Sequence, residues 1–509
     1  MSTNRIAKNS FWFGLELAFG VVLTFVSSVL LARTYGPAKL AEYNYLVWLT
    51  YVAGVLATVG LPAATLKYLS EYVGKQQPGM AFRIYTANFR AQAKLAAITV
   101  AVGLVFVWLT VRPDYRWAAV WLVLAIGPRM LGFIPAQINS AAQELSRNIP
   151  SSLVSTLASL VIIFASVYFD WGILGLALSH PISQTVDLLL KLAMTKRRRE
   201  EWRAAAAGVE IDSELAGRMR TFAFQGMGLL LLNLVVWDRS DLFFLKWLNP
   251  DLRQVTFFNY SYTLVDKLML IPSVLGSGMG LNLLSQQARE RRQLATVTVS
   301  SATYLLLIGV PVMLGAAALA RPVWMIYGDQ FAPAVPVFII MALLAIPRII
   351  LSATNAFLQA TENQRFSLLW GCLCGAVKLG LEAWLVPAHG ALGAAIGNGV
   401  GQTLAALGAW AFIVRAYAPH VPTGRLVRIM LSGAIMAAAS TAVTNWLPPV
   451  AGALTGFAAG VLVYFLMLRV TRALGEEDRN RLLSITGAFP APLRYPFSRI
   501  LWSIIPQAR

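Results

Sequence analysis

Charge is scarce in this chain, and acid scarcer than base. Asp, Glu, Lys and Arg together make up 13% of 509 residues, 23 of them acidic and 42 basic. Cysteine (two) and histidine (three) are rarer still. Each shortage excludes something. His180, His389 and His420 are dispersed and build no metal cluster. Cys372 and Cys374 lie two apart in one apolar run, where a helix turns them to different faces, so neither a disulfide nor a metal site is expected and both read as small core residues. The only Gly-Lys pair, Gly74–Lys75, lacks the spacing of a phosphate-cradling loop, which argues against ATP hydrolysis.

What is plentiful is apolar surface: 57% of the residues are hydrophobic, more than a soluble chain of this length can bury. A helix needs about 20 mostly apolar residues to span a bilayer. Fourteen such runs are present, near 10–33, 41–63, 95–111, 117–140, 151–169, 172–193, 221–245, 255–281, 294–319, 333–358, 367–387, 390–414, 427–447 and 450–468. The first is as long as a full span with no small-residue cleavage site, so it is expected to stay as a first helix. The fold class is therefore an all-α polytopic membrane protein of about 14 transmembrane helices.

The net charge of +19 is explained by topology rather than by nucleic acid. With the N-terminus in the cytoplasm and the spans alternating, 30 Lys and Arg fall inside and 7 outside. Positive residues stay on the cytoplasmic side, which places both termini there and the basic run 196–203 against anionic headgroups. The tail 471–509, with "LRYPFSRILWSII" at 493–505, mixes Arg with Trp, Phe and Ile and is expected on the inner surface.

The chain is also written twice. "YNYL" (43–46) and "LKYLSE" (66–71) answer "FNYS" (258–261) and "LNLLSQ" (281–286) at one offset, 215, without a gap. "GILGLALSHPISQT" (172–185) answers "GALGAAIGNGVGQT" (390–403) at 218. This divides the chain into a six-helix bundle at 1–195, a basic cytoplasmic linker at 196–220, a second six-helix bundle at 221–415, two further spans at 416–470 and the tail. Six is even, so the two bundles lie parallel as pseudo-symmetric halves. Transporters built this way bind substrate near mid-membrane and alternate access by rocking the halves.

The opening "VSSVLLARTYGPAKLAEYNYL", followed by "VGLPAATLKYLSEY", resembles the polysaccharide exporter family, the Wzx-type flippases of the multidrug/oligosaccharidyl-lipid/polysaccharide superfamily. The resemblance covers about 10–415, through the "ARxxGPxxxAEY" pattern, the repeat and the glycine-rich sixth and twelfth helices. It implies a non-enzymatic protein of the bacterial cytoplasmic membrane that flips polyprenyl-diphosphate-linked sugars for cell-surface polysaccharide, beside a polymerase or glycosyltransferases. The two extra C-terminal spans are similar to those of lipid II flippases, which implies a groove for the polyprenyl tail; they equally fit a wider lipid-facing belt.

Such a cargo needs a cationic, polar path. Arg129 and Arg348 lie at matching places in the fourth and tenth runs, 219 apart, each after a proline. A guanidinium stays charged and at a bilayer centre costs roughly 2.5–3.5 kcal/mol on insertion scales. It also grips phosphate in bidentate fashion. Both arginines are candidates to hold a diphosphate; the competing role is a structural ion pair with a carboxylate. Pro128 and Pro347 free the carbonyls of Leu124 and Leu343 and are candidate hinges. His180 with Gln184, and Asn398 with Gln402, form polar stripes suited to sugar hydroxyls or to interhelical bonds. Glu16, Asp238 and Asp241 are candidates for coupling to a proton or sodium gradient, or for ion pairing with Arg239 or Lys267. Helical spacing puts Asp238 and Asp241 on one face with Arg239 turned about 100° away. Asp266 and Lys267 are neighbours, so at least one is expected to point inward, while Asp187 with Lys191 and Lys378 with Glu382 are i,i+4 pairs that neutralise each other.

Two rivals remain at this stage. A membrane-embedded glycan polymerase or ligase needs a sizeable polar outer loop, and the longest one, near 320–332, has one arginine, one aspartate and no histidine. An ion-coupled multidrug antiporter of the same superfamily would favour excess carboxylate over paired arginines.

Overall fold

The computed structural model describes residues 3–142, 144–285, 291–475 and 478; side chains over 3–19 and 273–285, and at a few single positions, lie outside that description. Among the described residues every element is helical. This is what lipid demands, since a helix satisfies its backbone N–H and C=O groups within one segment. Among the described residues ten helical segments are long and apolar enough to cross a membrane. The seventh and eighth runs are not among these ten; they carry Asp238, Arg239, Asp241, Asp266 and Lys267.

All fourteen runs fall on helices. α1 (Thr3–Leu56) holds the first two, joined at Gly36, whose φ of 69° only glycine adopts freely. α2 (Leu61–Gly74) is a short extra helix and α3 (Pro78–Thr110) carries the third run. The fourth is split into α4 (Pro113–Leu124) and α5 (Ile126–Ala141). α6 (Ile149–Tyr168) and α7 (Gly172–Ala204) complete the first six. The seventh is α8 (Ser213–Leu231), a π turn (Leu232–Trp237) and α9 (Asp241–Leu248). α10 (Arg253–Ser285) and α11 (Arg291–Ala318) follow, then the short α12 (Ala320–Tyr327). The tenth run is divided into α13 (Ala334–Ala345) and α14 (Leu351–Ala360), and α15 (Gln364–Tyr417) holds the eleventh and twelfth around Gly390. α16 (Thr423–Thr444) and α17 (Pro449–Val470) are the two additional spans.

Two compact units result: Trp12–Phe243, and Phe244 onward together with Met1–Phe11. The core of the first gathers Tyr68 and Leu69 of α2, Ile84 and Tyr85 of α3, and Ile134 and Ile138 of α5. Trp202 and Met219 join it, so the basic segment after 196 continues α7 and is anchored by a buried tryptophan rather than running free. In the second unit an aromatic cluster of Trp324, Tyr327, Phe331 and Tyr260 is stacked and edge-packed, with ring centroids 4.9–6.1 Å apart. After α17 the chain folds back: Asp478 accepts a hydrogen bond from the Tyr304 hydroxyl (2.5 Å) and pairs with Arg425 (3.0 Å). The remainder of the tail, including 493–505, lies outside the described residues.

Candidate functional site

A proline cannot donate to the carbonyl four residues back, and its ring pushes that turn open. Both prolines act in this way. α4 stops at Leu124, the carbonyl that Pro128 leaves unbonded, and the path resumes in α5 after Ala125. α13 stops at Ala345; the Leu343 carbonyl accepts the Ile346 N–H instead (3.2 Å), and Pro347–Ile350 form one tight 3-10 turn. Thr403 of α15 donates to the next carbonyl, Leu344, at 3.2 Å. Each arginine follows directly on such a break.

In the first unit the Arg129 guanidinium lies over the ring of Tyr51, 5.6 Å from its centroid. The Tyr51 hydroxyl hydrogen-bonds the Asp238 carboxylate, and Trp48 Nε1 donates to the Asp238 carbonyl at 3.2 Å. His180 lies within electrostatic reach of Arg129, and its Nε2 is 2.9 Å from the Tyr43 hydroxyl. Gln184, one turn further along α7, is half-buried. The second, fourth, sixth and seventh apolar runs thus contribute to one polar cluster.

The second unit gathers four of the sequence candidates around one small cavity. Arg348 Nη2 stands 3.3 Å from Asp266 Oδ1, and Gln402 Nε2 donates to Asn398 Oδ1 at 2.6 Å. These four line the cavity with Tyr262. Its room for water centres is about 20 Å³, space for roughly one water. Of the neighbours Asp266 and Lys267, the aspartate is the one that turns to the cavity.

Other expectations fare differently. The helical geometry assumed for "WDRSD" does not hold. The π turn ends at Trp237, Asp238 is non-helical (φ −100°, ψ 81°), Arg239 is left-handed (φ 61°), and a new helix starts at Asp241. Asp238 and Asp241 therefore do not share a helical face. Asp241 is fully buried in the first turn of α9, where the helix dipole favours a carboxylate. The Glu16 side chain lies outside the described residues. Asp187–Lys191 (2.5 Å) and the completely buried Lys378–Glu382 (2.8 Å) form the expected i,i+4 pairs. Tyr43, Trp48, Tyr51 and Tyr262 were not candidates in the sequence, because an aromatic residue in an apolar run carries no signal of its own. One was available for Tyr51: at the gapless offset of 215 it falls on Asp266.

Comparison with known proteins agrees with this architecture. The family model for polysaccharide biosynthesis proteins matches residues 6–277, more than half of the sequence, and the chain belongs to that family. No curated protein matches it. Among solved structures it is similar to the lipid II flippase MurJ in an inward closed conformation, at a TM-score of 0.70 and 14% identity, covering 90% of this chain and 98% of the other. It also resembles an inward-facing multidrug resistance MATE family transporter of the MOP superfamily (TM-score 0.61, 13% identity, 78% and 94% covered). A MOP superfamily transporter from Pyrococcus furiosus, described as having a binding pocket of reverse polarity, gives 0.60 at 13% identity, covering 81% and 95%. At such identities the likeness defines the fold alone, and with its long apolar helices the protein is a multi-pass membrane member of the polysaccharide biosynthesis family.

Proposed function

We propose that the protein is a flippase that moves a polyprenyl-diphosphate-linked oligosaccharide across the bacterial cytoplasmic membrane by alternating access, for cell-surface polysaccharide biosynthesis. Both termini are cytoplasmic, and the cargo comes from glycosyltransferases and passes to a polymerase. The observation that carries the reading is Arg129, a cation directly after a helix break that stands over the Tyr51 ring with no carboxylate at ion-pair distance among the described residues, where a charge is costly unless an anion uses it. The family supports it, since polysaccharide precursors are anionic lipids. Pro128 and Pro347 serve as hinges. Asp238, Asp241, Asp266 and Glu16 are the carboxylates through which a proton or sodium gradient drives the cycle.

The test is translocation of a fluorescent polyprenyl-diphosphate oligosaccharide by the purified protein in vesicles. Arg129→Ala should lower it roughly ten- to a hundredfold, the worth of one charge-assisted contact, and Arg129→Lys should keep part of it. A wild-type protein that moves no such lipid sinks the reading. The orientation is tested by single cysteines at Ser213 and Thr423, which membrane-impermeant reagents should not reach in intact cells.

A second reading, an ion-coupled multidrug antiporter, is favoured by the MATE-like fold and by Asp238 and Asp266 beside the two clusters. Uptake of organic cations by the same vesicles, coupled to a gradient and blocked by Asp266→Asn, would select it.

A further inference from the structure

The two arginines hold equivalent places in the repeat, but the residues facing them do not match. Tyr51 and Asp266 correspond at offset 215, inside the gapless stretch that carries 43–71 onto 258–286. Each is the residue that meets the arginine of its own unit: the Tyr51 ring lies beneath Arg129, and the Asp266 carboxylate is 3.3 Å from Arg348. The face of a ring attracts a cation through its quadrupole and cancels none of its charge. A carboxylate at ion-pair distance cancels it. Among the described residues no carboxylate pairs with Arg129, and the acid of that cluster, Asp238, is engaged by the Tyr51 hydroxyl.

We infer that the anionic diphosphate of the cargo docks at Arg129, backed by Tyr51, and that Asp266 reserves the equivalent C-terminal site for uncharged hydroxyl groups. The assignment rests on the flippase reading. An anion approaching Arg348 meets the Asp266 carboxylate at once, whereas at Arg129 it meets a cation that, among the described residues, has no carboxylate at ion-pair distance. Beside Asp266 and Arg348 the small C-terminal cavity is lined by the bonded Asn398 and Gln402 amides and by Tyr262, neutral groups of the kind that meet hydroxyls rather than anions. There is also a reason for the difference. A duplicated protein with two equal anion sites accepts its cargo in two registers, and placing an acid in one copy removes the second.

The test is binding of geranyl diphosphate, a soluble prenyl diphosphate, to the full-length protein in detergent, followed by calorimetry. Arg129→Gln should weaken binding roughly ten- to a hundredfold. Arg348→Gln should change it less than about threefold, the margin of a site not used by the anion. Asp266→Asn should create a second diphosphate site of comparable affinity, and adding Arg348→Gln should remove it. Should Asp266→Asn fail to accumulate, Tyr51→Asp supplies the reciprocal change, which should abolish binding while the melting temperature is retained. Equal losses in Arg129→Gln and Arg348→Gln overturn the assignment, as does wild-type protein that binds no geranyl diphosphate. Vesicles that translocate no polyprenyl-diphosphate oligosaccharide, with the Arg129 and Arg348 difference in binding intact, would sink the flippase reading and leave the anion site standing.

Discussion

Both units tie the corner between their first two helices to the corner between their last two, and they do so with different chemistry. In the N-terminal unit a hydroxyl spans the gap, Tyr35 to the Gly172 carbonyl at 3.4 Å. In the C-terminal unit two side-chain amides share the work. Asn249 donates to the Val386 carbonyl (3.1 Å), and Gln254 Oε1 accepts the Ala391 N–H (3.0 Å) while its amide donates to Asp251 (3.1 Å). The same contrast recurs at the arginines and in the interior, where the buried Lys378–Glu382 pair has only Leu160 at the place of its lysine. Breaks, corners and glycines are set by backbone geometry and survive duplication. Side chains that meet one another are free to diverge in pairs.

The largest consequence should appear in the pair the other unit lacks. Lys378 and Glu382 are both completely buried. Removing one partner strands the other's charge, at a cost of about 3–5 kcal/mol. Lys378→Ala should therefore abolish accumulation of folded protein, and the double change Lys378→Met with Glu382→Leu should restore it. Normal yield and melting temperature for Lys378→Ala would remove the pair from any structural role.

The corner glycines sharpen the comparison at a smaller scale. Gly172 and Gly390 are equivalent and both have positive φ, 63° and 53°. A Cβ at Gly390 would stand 2.8 Å from Gln254 Oε1, whereas one at Gly172 would meet nothing within 4 Å. Gly390→Ala should cost about 2–4 kcal/mol, strain plus a clash with a side chain held at both ends, and Gly172→Ala about 1 kcal/mol of strain alone. Melting of the two purified variants, measured side by side, checks the ranking; equal losses would break it.

Acid should separate the corners most gently. Burial raises the Asp251 carboxyl, but hydrogen bonds from Arg253 and Gln254 outweigh it and hold the group below the usual carboxylate range. A depressed folded value gives stability that is present above the unfolded pKa and is lost as pH falls through the folded one. Below about pH 4 the C-terminal corner should therefore loosen, by no more than roughly 1 kcal/mol for so exposed a group. The Tyr35 bond is made to a backbone carbonyl and should hold. Amide exchange at Ala391 and at Trp171–Gly172 between pH 6 and pH 3 compares them.

How much of this was legible in the sequence follows from the same physics. Runs of apolar residues and a repeat at fixed offset are one-dimensional signals, and the fourteen apolar runs could be read from them, as the helix breaks before Arg129 and Arg348 could from Pro128 and Pro347. α2 and α12, 14 and 8 residues long, fall below the length that marks a span. The break at 238–240 was hidden because a π turn has no composition of its own. The polar stripes of the sixth and twelfth spans were visible, but their partners were not. His180 meets Tyr43 across 137 residues, and Arg348 meets Asp266 across 82. Charge shows where a contact is needed; only packing shows which residue answers.

The Lys378–Glu382 pair also bears on how the chain is made. An ammonium or a carboxylate resists entry into lipid, by roughly 2.5–3.5 kcal/mol each on insertion scales. In the finished fold the pair is covered by Gly397 and Gly401 in the following limb of α15, where a Cβ would stand 2.8 Å from Glu382 Cγ and 2.7 Å from Lys378 Cβ. Those two glycines are synthesised after the pair they shield. The eleventh span should therefore wait at the insertion machinery for the twelfth and leave as a hairpin. Nascent chains stopped before Gly397 should still crosslink to that machinery through Cys374, and chains extended beyond Tyr417 should be released. The same two residues that form an ion pair in the mature protein should thus set a pause in its biogenesis.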